Sequence, residues 1–216
     1  MTPACEVLQI LQPAYEPCAG FQQGSCSHMR WAPIEGHVPR GFCGAIGNVD
    51  EVRLILVCAE PGNPHANESH LGDNTPSGRL ESVNRHAWLC FENRTDQFHK
   101  NVREIMELCW PSIPFETQMR RTWITDSVLC SALTEGGRLP VKVERECVGR
   151  YLIPQLHLFP NAVVASLGRK AKNRLEAAGI TGFVTAGAAA PPGCYLSGVY
   201  DSWMRLADLI RSQFPA

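Results

Sequence analysis

No run of 18 apolar residues occurs in the 216-residue sequence, and its N-terminus lacks the basic-then-apolar order of a secretory signal. Neither a helical membrane span nor export is expected, and the chain reads as cytoplasmic. An excess of one charge is also missing. The formal net charge of −1 excludes a polybasic, sequence-blind coat on nucleic acid, while leaving room for a local basic patch. There is no internal repeat. With 44% hydrophobic and 19% charged residues, the chain suits a single globular domain over residues 1–216 and not a disordered or fibrous one.

Cysteine, by contrast, is plentiful. The ten cysteines have no secretory signal to accompany them, so metal binding or ordinary burial is expected in place of a disulfide framework. Cys5, Cys18, Cys26 and Cys43 fall in a Pro/Gly-rich, loop-like segment over residues 1–43, and the others are spread through the body. Only the first group lacks an evident core to hide in.

The most informative stretch is residues 52–62, where Val52, Leu54, Ile55, Leu56 and Val57 form an apolar run that stops at Cys58-Ala59-Glu60-Pro61-Gly62. A buried strand that breaks into a loop at a carboxylate matches where open α/β sheets place their chemistry, at the carboxyl ends of the strands. Glu60 is therefore the first catalytic candidate; capping of the loop or of the next helix is the alternative. Residues 63–77 are polar and rich in Gly, Pro and Asn, and read as a long loop on the same face. A helix is predicted over 97–108, with Thr95 or Asp96 as its cap. A second strand is predicted over 122–129, interrupted by Thr125-Asp126-Ser127. A helix over 141–158, a strand over 162–167 ending at Gly168, a helix over 169–178, a short strand over 183–185 and an amphipathic helix over 200–214 complete the pattern. Strands alternating with helices imply a mostly parallel sheet covered on both sides.

The order Leu-Ile-Leu-Val-Cys-Ala-Glu-Pro-Gly, Trp-Ile-Thr-Asp-Ser-Val-Leu-Cys, Glu-Arg-Glu-Cys-Val-Gly-Arg-Tyr-Leu and Val-Val-Ala-Ser-Leu-Gly resembles the uracil-DNA glycosylase superfamily, closest to its iron–sulfur branch, family 4. The resemblance runs from Gly44 to the end. It implies a three-layer α/β/α fold with a four-stranded, mostly parallel sheet, a DNA groove across the strand ends, and a base flipped into a pocket beside Glu60, formed with Cys58, Ala59, Asp126 and His65. Glu60 occupies the acid position of the first motif, where a carboxylate stabilises charge developing on the sugar and orients the attacking water. No lysine nucleophile matches these motifs, so an abasic site without strand cleavage is the implied product.

Two departures bear on specificity. The family's Ile-Thr-Asn strand is here Ile124-Thr125-Asp126. An ionised carboxylate only accepts hydrogen bonds, so it disfavours uracil's carbonyl at ring position 4 and favours cytosine's amine; a protonated one still donates to uracil. The family's His-Pro loop is replaced by Ala188-Ala189-Ala190-Pro191-Pro192-Gly193-Cys194, which leaves backbone N–H groups, His65 or His70 to assist the leaving base. Tyr195 or Leu196 is the candidate duplex wedge, with a buried aromatic as the alternative. The resemblance also implies a [4Fe–4S] cluster on Cys18, Cys26, Cys130 and Cys147, with Cys43 as a substitute in the N-terminal pair. Gly168, Arg169 and Lys170, followed by Lys172 and Arg174, are placed at a helix N-terminus where a DNA phosphate would sit; Pro192 and Tyr195 are further DNA contacts. His28, His37, His86, His99 and His157 carry no signal.

The implied activity is a monofunctional DNA glycosylase that acts as a monomer on a flipped, modified cytosine, such as glucosylated hydroxymethylcytosine, in defence against phage. The alternatives are a uracil-DNA glycosylase of base-excision repair and a non-catalytic iron–sulfur DNA-binding protein.

Overall fold

The computed structural model describes residues 2–66, 68–71 and 74–215. Its sheet contains Cys43–Gly44 (β1), Leu54–Cys58 (β2), Thr122–Asp126 (β3), Val163–Leu167 (β4) and Val184–Ala186 (β5), in the order β1-β3-β2-β4-β5. Strands β2 to β5 run parallel, as the apolar runs predict. Strand β1 is an addition to the four expected: Cys43, the last residue of the N-terminal segment, and Gly44 pair antiparallel with β3, Cys43 opposite Ile124. All five residues of β2 are buried, which fits a central strand covered on both faces.

The second strand ends at Asp126, three residues short of the predicted end. There Ser127 N donates to Cys58 O and Val128 N to Ala59 O, so the chain turns over the end of β2 instead of extending the ladder.

The helices are Cys5–Leu11 (α1), Ala19–Gln22 (α2), Pro76–Asn93 (α3), Gln97–Cys109 (α4), Phe115–Arg121 (α5), Val141–Cys147 (α6), Ile153–Leu158 (α7), Arg169–Ala177 (α8) and Val199–Gln213 (α9). One side of the sheet buries Ile55, Val57 and Trp123 with residues of α1, α6 and α8; the other buries Leu54, Leu56 and Ile124 with residues of α4, α5 and α9. Period-two alternation along β2 thus feeds two separate cores, which makes the molecule a three-layer α/β/α structure.

Three predicted elements need correction. The segment over residues 1–43 is not loose: Val7, Leu11 and Tyr15 are fully buried, and Tyr15 Oη donates to Pro39 O at 2.6 Å. The predicted helix over 141–158 contains a π turn, Val148–Leu152, between α6 and α7. Pro154 has no N–H to return to the preceding turn, and the widened turn absorbs the gap. Helix α3 begins at Pro76 with the Thr75 side chain accepting from Gly78 N, inside the stretch read as loop.

Candidate active site

The chain leaves β2 toward β3 and leaves β4 toward β5, on the other side of β2. The carboxyl ends of β2 and β4, where such connections diverge, are where open parallel sheets place a binding crevice. Glu60 follows β2 at that point. Its side chain is only 7% exposed, with Oε1 at 2.6 Å from Lys170 Nζ and Oε2 at 2.6 Å from Arg174 Nη2. The Arg174 contact is ionic but not aligned as a hydrogen bond, so Oε2 is buried and accepts none. Arg174 is itself locked: Nε donates to Glu144 Oε1 at 2.8 Å and Nη1 to Ala59 O at 2.7 Å. Ala59 O also accepts from Ser127 Oγ at 2.7 Å and Val128 N at 3.0 Å. The loop that carries the acid is therefore held from β3 and α8 together, a fixed mount for a charged group.

Asp126 stands opposite Cys58 in the ladder, one strand from Glu60, and is buried. Burial, reinforced by the nearby Glu60, pushes its carboxyl well above the usual carboxylate range; Arg174 and Arg40 oppose this without cancelling it. The shift favours the neutral form of Asp126 over the ionised acceptor on which the reading for cytosine rests. Gly41, at φ +85°, lets its backbone approach this carboxyl; any side chain there would collide with Oδ2. Cys58 is buried as well, and burial raises its thiol well above the ordinary value, with Asp126 adding to the effect.

The groups proposed to contact DNA divide. Gly168, at φ +90°, lies against Ala188, and its N–H is taken by Ala186 O. Arg169 is exposed and has no ion-pair partner among the described residues. Lys170 is not a free cation: besides Glu60 it donates to Gly136 O and Gly137 O, each at 2.9 Å. Lys172 pairs with Glu176, and Arg174 is buried beneath Glu60, so neither offers itself to a phosphate. Past β5, Pro192 leads into a short turn that leaves Tyr195 70% and Leu196 69% exposed; the buried-aromatic alternative for Tyr195 is excluded. The loop beneath them is anchored by Asn101 Nδ2 donating to Ala189 O at 2.7 Å.

His70 cannot assist a leaving base. It is fully buried, with Nε2 at 2.8 Å from Glu68 Oε1 and Nδ1 at 3.2 Å from Ser82 Oγ. His65 is half exposed and lies 3.3 Å from Asp96 Oδ2. The charged groups sequence reasoning missed are Arg40 and Glu68. Arg40 is buried, reaches Glu68 Oε1 at 3.5 Å and Ser131 Oγ at 2.8 Å, and also donates to Gly62 O. It joins the first-motif loop to the residues after β3. Nothing in its local sequence, a Pro39-Arg40-Gly41 turn, announces that role.

The chain matches no protein-family model and no curated protein.

Most of the ten cysteines are buried. Cys18, Cys26, Cys130 and Cys147 line one cavity, along with Tyr151, Val143 and Leu129. Cys43 does not join them: it belongs to the core on the opposite face of the sheet, which removes it as a substitute. Gly20 borders the thiols, and a Cβ there would lie 2.6 Å from Cys26 Sγ and 3.5 Å from Cys18 Sγ. Leu129 N donates to Cys147 Sγ at 3.4 Å, and burial pushes that thiol up to about 12.

Proposed function

We propose that this chain is a monofunctional DNA glycosylase. It flips a pyrimidine into the crevice over Glu60 and hydrolyses its N-glycosidic bond to leave an abasic site. The observation that carries this is the Glu60 mount: a nearly buried carboxylate at the switch point of a parallel sheet, held by a locked arginine. As the bond between sugar C1′ and the base nitrogen breaks, its electron pair leaves with the base and positive charge grows on the sugar. A fixed carboxylate opposes that charge and accepts a proton from the water that adds to C1′. Arg174 orients the acid, and Lys170 closes its outer side. The exposed Tyr195 and Leu196 suit insertion into a duplex, and Arg169 suits a phosphate.

The base proposed is a modified cytosine, such as glucosylated hydroxymethylcytosine, and the setting defence against phage. A neutral Asp126 carries one donor and one acceptor. Its O–H can meet cytosine N3 while its carbonyl oxygen accepts from the amine. The same pair can meet uracil, with the O–H on the carbonyl at position 4 and the carbonyl oxygen on the ring N–H. Uracil removal in base-excision repair is therefore a second reading, favoured by the raised pKa of Asp126. DNAs carrying uracil, cytosine, hydroxymethylcytosine and glucosylated hydroxymethylcytosine, assayed for alkali-labile sites, separate the two. Release of modified cytosine with uracil left intact supports the first; efficient uracil release alone overturns it. If Glu60→Gln still cleaves any of these DNAs at the native rate, the glycosylase mechanism fails.

We also assign a [4Fe–4S] cluster to Cys18, Cys26, Cys130 and Cys147. The donor set fits, since four thiols face one cavity and Gly20 leaves room beside two of them; thiolates are the usual ligands of such clusters. When bound, the group supplies a covalent cross-link between the N-terminal segment, the residues after β3 and α6. A DNA-binding protein that keeps this cross-link and has no glycosylase activity is the outcome if no base is released.

A further inference from the structure

On α3, His86 and Cys90 stand four residues apart, and His86 Nε2 lies 3.4 Å from Cys90 Sγ. Two ligands bound at about 2.0–2.3 Å to one tetrahedral ion are themselves about 3.5 Å apart. The loop after β2 brings His65 to the same place, its ring centroid 5.9 Å from that of His86. The ligand atoms of His65, His86 and Cys90 all fall within 4.8 Å of one another. We propose that these three side chains bind a single zinc-class divalent cation, which staples the loop after β2 to α3.

The donor chemistry selects the ion. Two imidazoles and a thiol suit zinc and its softer neighbours, whereas magnesium and calcium require oxygen donors. The loop that carries His65 is held by a buried acid: Glu68 Oε2 accepts from His65 N at 2.9 Å, while Glu68 Oε1 is held by His70 at 2.8 Å and Arg40 at 3.5 Å. An entry path exists because the His65 side chain is 45% exposed while Cys90 is buried. A neighbouring trio, His65, Asp96 and His99, meets the same spacing. Its acid is already engaged, since Asp96 Oδ1 caps α4 through His99 N at 3.0 Å and lies 2.8 Å from His99 Nδ1. The site with the thiol is therefore the one assigned. It lies outside the cysteine-lined cavity and does not rest on the glycosylase reading.

Cobalt(II) added to the purified protein tests this, with zinc used in competition. A thiolate on cobalt gives a sulfur-to-metal absorption band that histidine and carboxylate ligands do not. The expected result is one cobalt per chain with that band, zinc displacing it. Cys90→Ser loses the band, and Cys90→Ser and His86→Ala each weaken zinc binding at least about 100-fold. His99→Ala and Cys43→Ser leave the band and the zinc affinity unchanged. Equal zinc binding by wild type and Cys90→Ser overturns the proposal. So does a loss in His99→Ala that matches the loss in His86→Ala while Cys90→Ser is unaffected. Should His86→Ala fail to fold, His65→Gln, at a half-exposed loop position, decides: zinc binding unchanged in that variant sinks the site.

Discussion

At the residue scale, the two acids divide the work. Glu60 is mounted by cations, and burial shifts Asp126 toward its neutral form. On the proposed mechanism, Glu60→Gln keeps the shape but removes the charge that would face the sugar, so single-turnover abasic-site formation should fall by about 10²–10⁴-fold while DNA affinity is retained; a shift assay alongside the cleavage assay checks both. Asp126 makes a prediction about stability. Its folded pKa lies above the unfolded value of about 3.9, so the folded state holds the extra proton, and the stability this contributes is complete below that pH and lost as pH rises through the folded pKa. Asp126→Asn carries no such proton. Compared by urea midpoints from about pH 5 upward, the variant therefore gains on wild type as pH rises; parallel curves would show that Asp126 is ionised in the folded protein. Glu60 and Asp126 were both legible in sequence because each ends an apolar strand. The upward shift of the Asp126 pKa was not, since it arises from Gly41 and the loop carrying Cys58 and Glu60 closing around it from two separate segments.

At the element scale, the four parallel strands were legible because continuous apolar runs admit few alternatives when both faces are buried. Helix α3 was not. It begins with Pro76-Ser77-Gly78 after a polar stretch, and its apolar positions serve two cores, Leu80 and Val83 on one side and Trp88 and Phe91 on the other, so no single stripe stands out. With α3 unread, the four-residue spacing of His86 and Cys90 went unseen. The pairing between α8 and the β2 loop was equally hidden, because Lys170 and Arg174 look like a solvated basic face until Glu60 is placed between them. Arg174 is the tie between these elements: it is 3% exposed and serves Glu60, Glu144, Ala59 and Ser127. Arg174→Met leaves Glu60 without its buried cation. Unfolding free energy measured in urea should fall by about 3–5 kcal/mol, far more than an exposed pair such as Lys172–Glu176 would give. A loss below about 1 kcal/mol would mean that water reaches Glu60 and replaces the arginine.

At the scale of the whole molecule, the N-terminal segment is the part whose role changed most. Its Pro/Gly content suggested loops, yet it supplies an edge strand, two short helices and two of the four cavity thiols. Such short helices have little stability of their own and depend on what they pack against. Val7, Leu11 and Tyr15 supply one attachment through the core, and the cavity would supply the other when a cluster binds. The π turn after Cys147 and the loop after β3 meet the segment at that point, so the four thiols join three stretches of chain that are distant in sequence. A cluster bound there stabilises the folded state by mass action, because the unfolded chain does not preassemble its ligands. Protein purified without air should be brown with broad visible absorbance, and Cys147→Ser should lose both the colour and several degrees of melting temperature. Cys43→Ser, on the opposite face of the sheet, should keep the colour. Should Cys147→Ser remain brown, or the wild type be colourless with iron and sulfide supplied, the four thiols are buried packing groups and the N-terminal segment is held by its apolar contacts alone.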